Sequence, residues 1–246
     1  MSETKFDYFS LAAYRELIRD LQRRGYRVAD YKLAEPRERH LILRHDVDFD
    51  LGAAATMAEA EAADGLQATY FLLLRTEFYN VLSASAGAIA RRLIDLGHRV
   101  GLHFDRANSI GNIDELDRLV RLDCDILENA VGVPVESVSF HRPVQELFGG
   151  DLVLGGRLNA YSRRFTLEMG YCSDSRGGWH RGHPLQHSAL EQGQALHLLT
   201  HPIWWVSPDQ TLPRKKLADF LQRRIGLLDR EISQHCKAYG IDVEEP

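Results

Sequence analysis

Short apolar runs alternate with segments of helical spacing along most of this chain, and that alternation restricts the fold more than any other feature. Strands are expected over residues 40–48, 68–74, 99–103, 138–140 and 195–200, where apolar and β-branched or aromatic residues cluster. Helices are expected over 11–24, 51–63, 83–96, 113–130 and 215–239, where apolar residues recur every three or four positions. Residues 149–193 are irregular apart from short strands around Tyr161 and Tyr171. Strands that alternate with helices pair in parallel through crossover connections, in an open sheet or a closed barrel. Such sheets carry their reacting groups at the carboxyl ends of the strands.

Those ends are unusual here. Leu41-Ile42-Leu43 runs straight into Arg44-His45-Asp46-Val47-Asp48. With a two-residue period, Asp46 and Asp48 share one face of the strand and His45 takes the other. Two neighbouring carboxylates leaving a core repel one another and call for a positive partner. The strand at 99–103 ends in His103, the strand at 138–140 leads into His141 and Arg142, and the strand at 195–200 leads into His201. Topology brings these ends to one face. Asp and His suit zinc and neighbouring divalent metals, and a catalytic site keeps a coordination position open. Asp48 and His103 are the first two expected ligands and His141 the third, with Asp105 as the fallback. Asp46 is then left to act as a base and His201 as an acid, which together with a metal describes hydrolysis of an amide or ester.

Composition narrows the classes. The chain has 246 residues, 44% of them hydrophobic and 26% charged, as in an ordinary globular protein. Thirty Lys and Arg against 35 Asp and Glu leave a net charge of −5, which argues against a nucleic-acid partner. No apolar run reaches the roughly 20 residues of a membrane span. No secretory signal is read at the N-terminus, and three widely spaced cysteines suit reduced thiols, so a cytoplasmic location and a single domain over 1–246 are expected. His45 and His98 read as structural. His180, His183 and His187 read as surface or substrate-rim residues, and Trp204 and Trp205 as core or pocket wall.

In order along the chain, these motifs resemble the polysaccharide deacetylase superfamily, the NodB-like carbohydrate esterases of family four, and within it a WbmS-like branch associated with surface-glycan gene clusters. His45-Asp46-Val47-Asp48 is similar to the family's acidic pair, in which one Asp is the base and the next binds metal. Val47 is an insertion there, so base and ligand could exchange roles. Gly97-His98-Arg99-Val100-Gly101-Leu102-His103 resembles the lead into the second motif, whose last His is a ligand. That motif's further His is replaced by Ala107, and His141 is the expected substitute. Phe140-His141-Arg142-Pro143 resembles the motif whose Arg orients the catalytic Asp. Asp174 and Trp179 resemble the Asp that tunes the catalytic His and a Trp of the pocket. Leu199-Thr200-His201-Pro202 resembles the motif of acyl-pocket Leu and acid His.

The resemblance implies a distorted, incomplete (β/α)7 barrel and a divalent metal, zinc foremost. It implies Asp46, His201, Arg142 and Asp174 as the acid–base group, and Asp48, His103 and His141 as ligands. Trp179, Leu199 and Tyr161 are expected to line the substrate site. The implied reaction is removal of an N-acetyl or N-formyl group from a sugar or nucleotide-sugar precursor of a surface polysaccharide. The alternatives are hydrolysis of a non-sugar amide and a non-catalytic glycan-binding role. A phosphoesterase is disfavoured because it needs more ligands than the sequence offers.

Overall fold

The computed structural model describes residues 9–105, 113–143, 148–180, 182–206 and 212–239. The chain divides into two compact units, Met1–Gln210 and Thr211–Pro246. In the first, the elements run α1 (Leu11–Arg23), β1 (Arg27–Val28), β2 (His40–Val47), α2 (Leu51–Ala63), β3 (Thr69–Leu73), α3 (Ala84–Asp95), β4 (Arg99–Asp105) and α4 (Ile113–Val131). They continue with β5 (Ser137–His141), β6 (Leu158–Asn159), α5 (Arg163–Thr166), β7 (Gly170–Ser173), α6 (Ser188–Gln192), β8 (Leu196–Thr200) and α7 (Pro202–Trp205). The second unit contains α8 (Pro213–His235).

The local chemistry accounts for these boundaries. Ser10, Asp50 and Ser83 accept hydrogen bonds from the first backbone amides of α1, α2 and α3, so each helix starts on a satisfied cap. Gly25, Gly65 and Gly97 follow α1, α2 and α3 in the left-handed conformation that ends a helix. Pro202 opens α7 and Pro213 opens α8, where a missing amide proton costs nothing.

The sheet order is β6-β5-β4-β3-β2-β8-β7, with β1 beside the first residues of β2. Every named pair is parallel. Seven strands curl into a half-barrel flanked by helices, an incomplete (β/α) barrel of the kind the motif resemblance implies. The two-residue strand β1 was not foreseen, because so short a run carries no periodic signal. Strand β4 extends to Asp105, two residues beyond the expected end.

Register sets the inner face. Ile42, Arg44 and Asp46 project inward beside His197 and Leu199 of β8 on one side and Thr69 and Phe71 of β3 on the other. Tyr31, Ile42, Phe71, Phe165 and Met169 fill the half-barrel as one buried cluster. On the outer face, α2 packs Ala53, Ala54, Met57 and Ala58 out of solvent. No described helix is long and apolar enough to cross a membrane. Cys124, Cys172 and Cys236 are free thiols.

Candidate metal and acid–base site

Alternation along β2 puts Arg44, Asp46 and Asp48 on the inner face and His45 and Val47 on the outer one. Arg44 and Asp46 are both buried, and the guanidinium grips the carboxylate with two bonds, Nε to Oδ1 at 2.9 Å and Nη2 to Oδ2 at 2.7 Å. Nη2 also donates to the Tyr161 hydroxyl at 2.9 Å. The cation lies over the rings of Phe71 and Tyr161, 5.3 and 4.4 Å from their centroids. Burial alone would raise the Asp46 pKa, but the Arg44 charge, then His103, reverses this and holds it below the usual carboxylate range.

Gly101 makes this mount possible. A Cβ at that position would fall 2.5 Å from the Phe71 ring, so only glycine lets the ring lie flat under Arg44. We expect Gly101→Ala to destabilise the fold by about 1–3 kcal/mol, the usual penalty for overpacking a dense core, measured by urea denaturation.

One step toward the strand ends, Asp48 meets two imidazoles. Its Oδ1 lies 3.1 Å from His103 Nε2 and 3.3 Å from His141 Nδ1. The three ligand atoms lie within 4.8 Å of one another, and they come from the residue after β2, from β4 two residues before its end and from the last residue of β5. Asp48 Oδ1 is buried without a hydrogen-bond partner. Such a carboxylate oxygen is expensive unless a cation meets it, and the two nearest groups are themselves metal-ligand types.

The environment of His103 also prepares it as a ligand. Its Nδ1 lies 2.6 Å from Ser139 Oγ, and Ser139 in turn donates to Asp46 Oδ1 at 3.5 Å. With the hydroxyl proton directed to Asp46, Ser139 would accept from Nδ1–H, and the Nε2 lone pair would then be left for a metal. This is the arrangement that fixes the tautomer of a metal-binding histidine. Burial raises the pKa of the Asp48 carboxyl, but the adjoining His103 and His141 imidazoles outweigh it and hold the group well below its ordinary value, and the nearby Asp48 carboxylate raises His141. The Asp48, His103 and His141 donors therefore fit a divalent ion.

On the other flank, His201 follows β8 and Asp174 follows β7. His201 Nδ1 lies 2.6 Å from Asp174 Oδ1, and the His201 backbone amide donates to Oδ2 at 3.0 Å. Trp205 Nε1 donates to the same Oδ2 at 2.7 Å. Three donors thus hold the fully buried Asp174. His201 Nε2 is left pointing inward, 3.7 Å from Asp48 Oδ2. Burial opposes a charge on His201, yet the Asp174 carboxylate more than compensates and raises its pKa to about 9.

The structure therefore brings Asp46, Asp48, His103, His141, Asp174 and His201 to one face. Three expected residues have other partners than expected. Arg142 does not reach Asp46: its side chain is mostly exposed and donates from Nη2 to Asp105 Oδ2 at 2.6 Å. The guanidinium on Asp46 belongs to Arg44, which reaches it within one strand as a same-face neighbour two residues away. Tyr161 is buried beneath Arg44 instead of lining an open pocket, and Leu199 is buried beside Arg44 in register. Asp105, the fallback ligand, is the partner of Arg142. Trp179 is half-buried, its ring 5.7 to 6.0 Å from those of Phe9, His183 and Trp205. Ala107 lies outside the described residues.

Several contributors escaped sequence reasoning. Tyr79 donates to the Val47 carbonyl at 2.6 Å and accepts from the Leu73 amide at 2.8 Å, pinning together the ends of β2 and β3 beside Asp48. Glu61 is buried on α2, accepts from the hydroxyls of Tyr14 and Tyr70, and lies 2.8 Å from His45 Nε2. That network, continued by His45 Nδ1 to Thr200 Oγ1 at 2.7 Å, anchors the outer side of β2 and gives His45 its structural role. A Glu in an Ala-rich helix carried no signal for it beyond its place on the apolar face. His183 and His187 each accept a backbone amide at the start of a short helix, so these two act as caps.

No family model and no curated protein matches the chain. Among solved structures, it is similar to a family 4 carbohydrate esterase from Bacillus anthracis, with 16% identity over 85% of this chain and 86% of that one and a TM-score of 0.43. It is similar to a family 4 pseudoenzyme from the same organism, with 16% identity over 77% of this chain and 63% of the other and a TM-score of 0.44. It is also similar to a family 4 acetyl xylan esterase from Clostridium thermocellum in complex with a cobalt ion, with 14% identity over 75% of this chain and 84% of that one and a TM-score of 0.40.

Proposed function

We propose that this protein is a metal-dependent hydrolase of the polysaccharide deacetylase type that removes an N-acetyl or N-formyl group from a sugar or nucleotide-sugar precursor of a surface polysaccharide, acting in the cytoplasm. One observation carries the reading. The buried, unpartnered oxygen of Asp48 faces two imidazoles, and a tethered carboxylate and a tethered imidazole flank it. Asp48, His103 and His141 would hold a divalent ion, zinc foremost, which supplies positive charge to polarise an acyl carbonyl and lowers the pKa of water.

Asp46 has the geometry of a base: two of its lone pairs are committed to Arg44 and a third to Ser139, and the remaining one on Oδ2 is left to accept a proton. Its depressed pKa makes it a weak base, so it suits only a water already made acidic, which agrees with the donor set beside it. His201 has the geometry of the acid. Asp174 fixes its Nδ1 proton, so Nε2–H is the one delivered to the departing nitrogen. Trp205 and the His201 amide keep Asp174 from turning away during that transfer. Trp179 offers an aromatic wall of the kind that suits a sugar face.

Two measurements test this reading. The purified protein is expected to hold close to one divalent ion per chain by elemental analysis, and His103→Ala to lose at least tenfold in metal affinity. Acetate or formate release from N-acylated nucleotide sugars is expected from the loaded wild type and not from Asp46→Asn. Full metal occupancy in His103→Ala would remove the ligand assignment, and release by Asp46→Asn at the wild-type rate would remove the base.

A further inference from the structure

Twelve described positions have left-handed backbone, and ten of them are glycine. Glycine is the residue that adopts this conformation without a clash at Cβ. The two exceptions are both arginine: Arg142, with φ of 53°, and Arg176, with φ of 61°. Arg142 follows His141 at the end of β5. Arg176 lies in the turn Ser175–Gly177, directly after Asp174 at the end of β7. Both therefore stand at the strand-end face that carries the site, one on the flank of the metal-ligand trio and the other on the flank of the His201–Asp174 pair.

Packing does not explain either side chain. Arg142 is 62% exposed, and its one hydrogen bond among the described residues goes from Nη2 to Asp105. Arg176 is exposed and has no hydrogen bond or ion pair with any described residue. Arg75 shows the contrast: following β3, it is neutralised by a two-pronged bond to the buried Asp123. A glycine at position 142 or 176 would hold the same turn without strain, as it does at ten other positions. The strain is accounted for if the guanidinium itself is what each position requires, and strained residues of this kind gather at functional sites.

We propose that Arg142 and Arg176 read an oxyanion on the substrate, so that the sugar bound here carries a phosphate or carboxylate in addition to its N-acyl group. Asp105 holds one edge of the Arg142 guanidinium and orients the planar fork, and the remaining Arg142 donors bond no described residue, which suits them to an anion. The metal-ligand set and the acid stand between the two arginines, so an anion on either flank leaves the acyl group over the chemistry. The substrate assignment rests on the deacylation reading, and the anion site itself does not.

The test compares wild type with Arg142→Gly, Arg176→Gly and the double variant, since glycine keeps the turn and removes only the side chain. The substrates are N-acetylglucosamine, its 1-phosphate and 6-phosphate, and N-acetylmuramic acid. We expect the preference for anionic over neutral sugars to fall at least tenfold in the double variant, in KM and not in kcat. The preference of the wild type should also weaken as salt is raised. The phosphorylated sugars and the carboxylate separate the two kinds of anion. Inorganic phosphate should raise the melting temperature of the wild type and lose that effect in the double variant, whose own melting temperature should equal or exceed the parent's. A double variant with the wild-type preference and the wild-type phosphate response overturns the proposal. Absence of any acyl release from all four sugars counts against deacylation of such sugars, and the phosphate response still decides the anion site.

Discussion

Replacing Arg44 by methionine is expected to destabilise the fold by about 3–5 kcal/mol and to abolish acyl release. The side chain is fully buried and holds Asp46 with two of its bonds. Removing one member of a buried ion pair leaves the other charge without compensation, which is where penalties of that size arise. The released Asp46 would lose the largest of the charges that hold its pKa down, and burial would then push it up. Arg44→Lys separates the two effects. It keeps the charge and loses the planar fork, so it should fold with a smaller penalty and still lose at least tenfold in rate. Denaturation with urea and acetate release would measure both. A stable, fully active Arg44→Met protein would show that Asp46 needs no tether.

Asp174→Asn is expected to lower the rate by about 10²–10⁴-fold, the range over which a positioned acid contributes. An asparagine oxygen in the place of Oδ2 can still accept from the His201 amide and Trp205, but its amide nitrogen then faces His201 Nδ1, which can no longer donate there. His201 would lose the carboxylate that raises its pKa to about 9, and with it the preference for Nδ1–H. Metal content should be unchanged, because none of the three ligand side chains hydrogen-bonds Asp174. The pair of readings, rate down and metal retained, distinguishes this role from general collapse of the site. A variant that works at the parental rate would remove Asp174 from the acid's support.

The parallel αβ architecture was legible because each strand and helix carries its own period. The helix over 51–63 and the strand ends at Asp48, His103, His141 and His201 could be located before any contact was known. The side-chain alternation in Arg44-His45-Asp46-Val47-Asp48 was equally readable, and it places Asp46 and Asp48 on one face. Arg44 was in plain sight within that run. Its role was missed because a motif resemblance assigned the same role to Arg142, and sequence alone does not say which of two cations is nearer.

What the sequence determined by itself is the set of chemical groups delivered to the strand ends, since periodicity and turn chemistry are local. What only the tertiary structure decided is their pairing: Arg44 on Asp46, Arg142 on Asp105, Ser139 between His103 and Asp46, and Tyr161 under the guanidinium. Those pairings depend on strand register and on the curl of the sheet. Both are set by packing across the half-barrel, where a single absent Cβ at Gly101 lets Phe71 lie beneath the cation that holds the base.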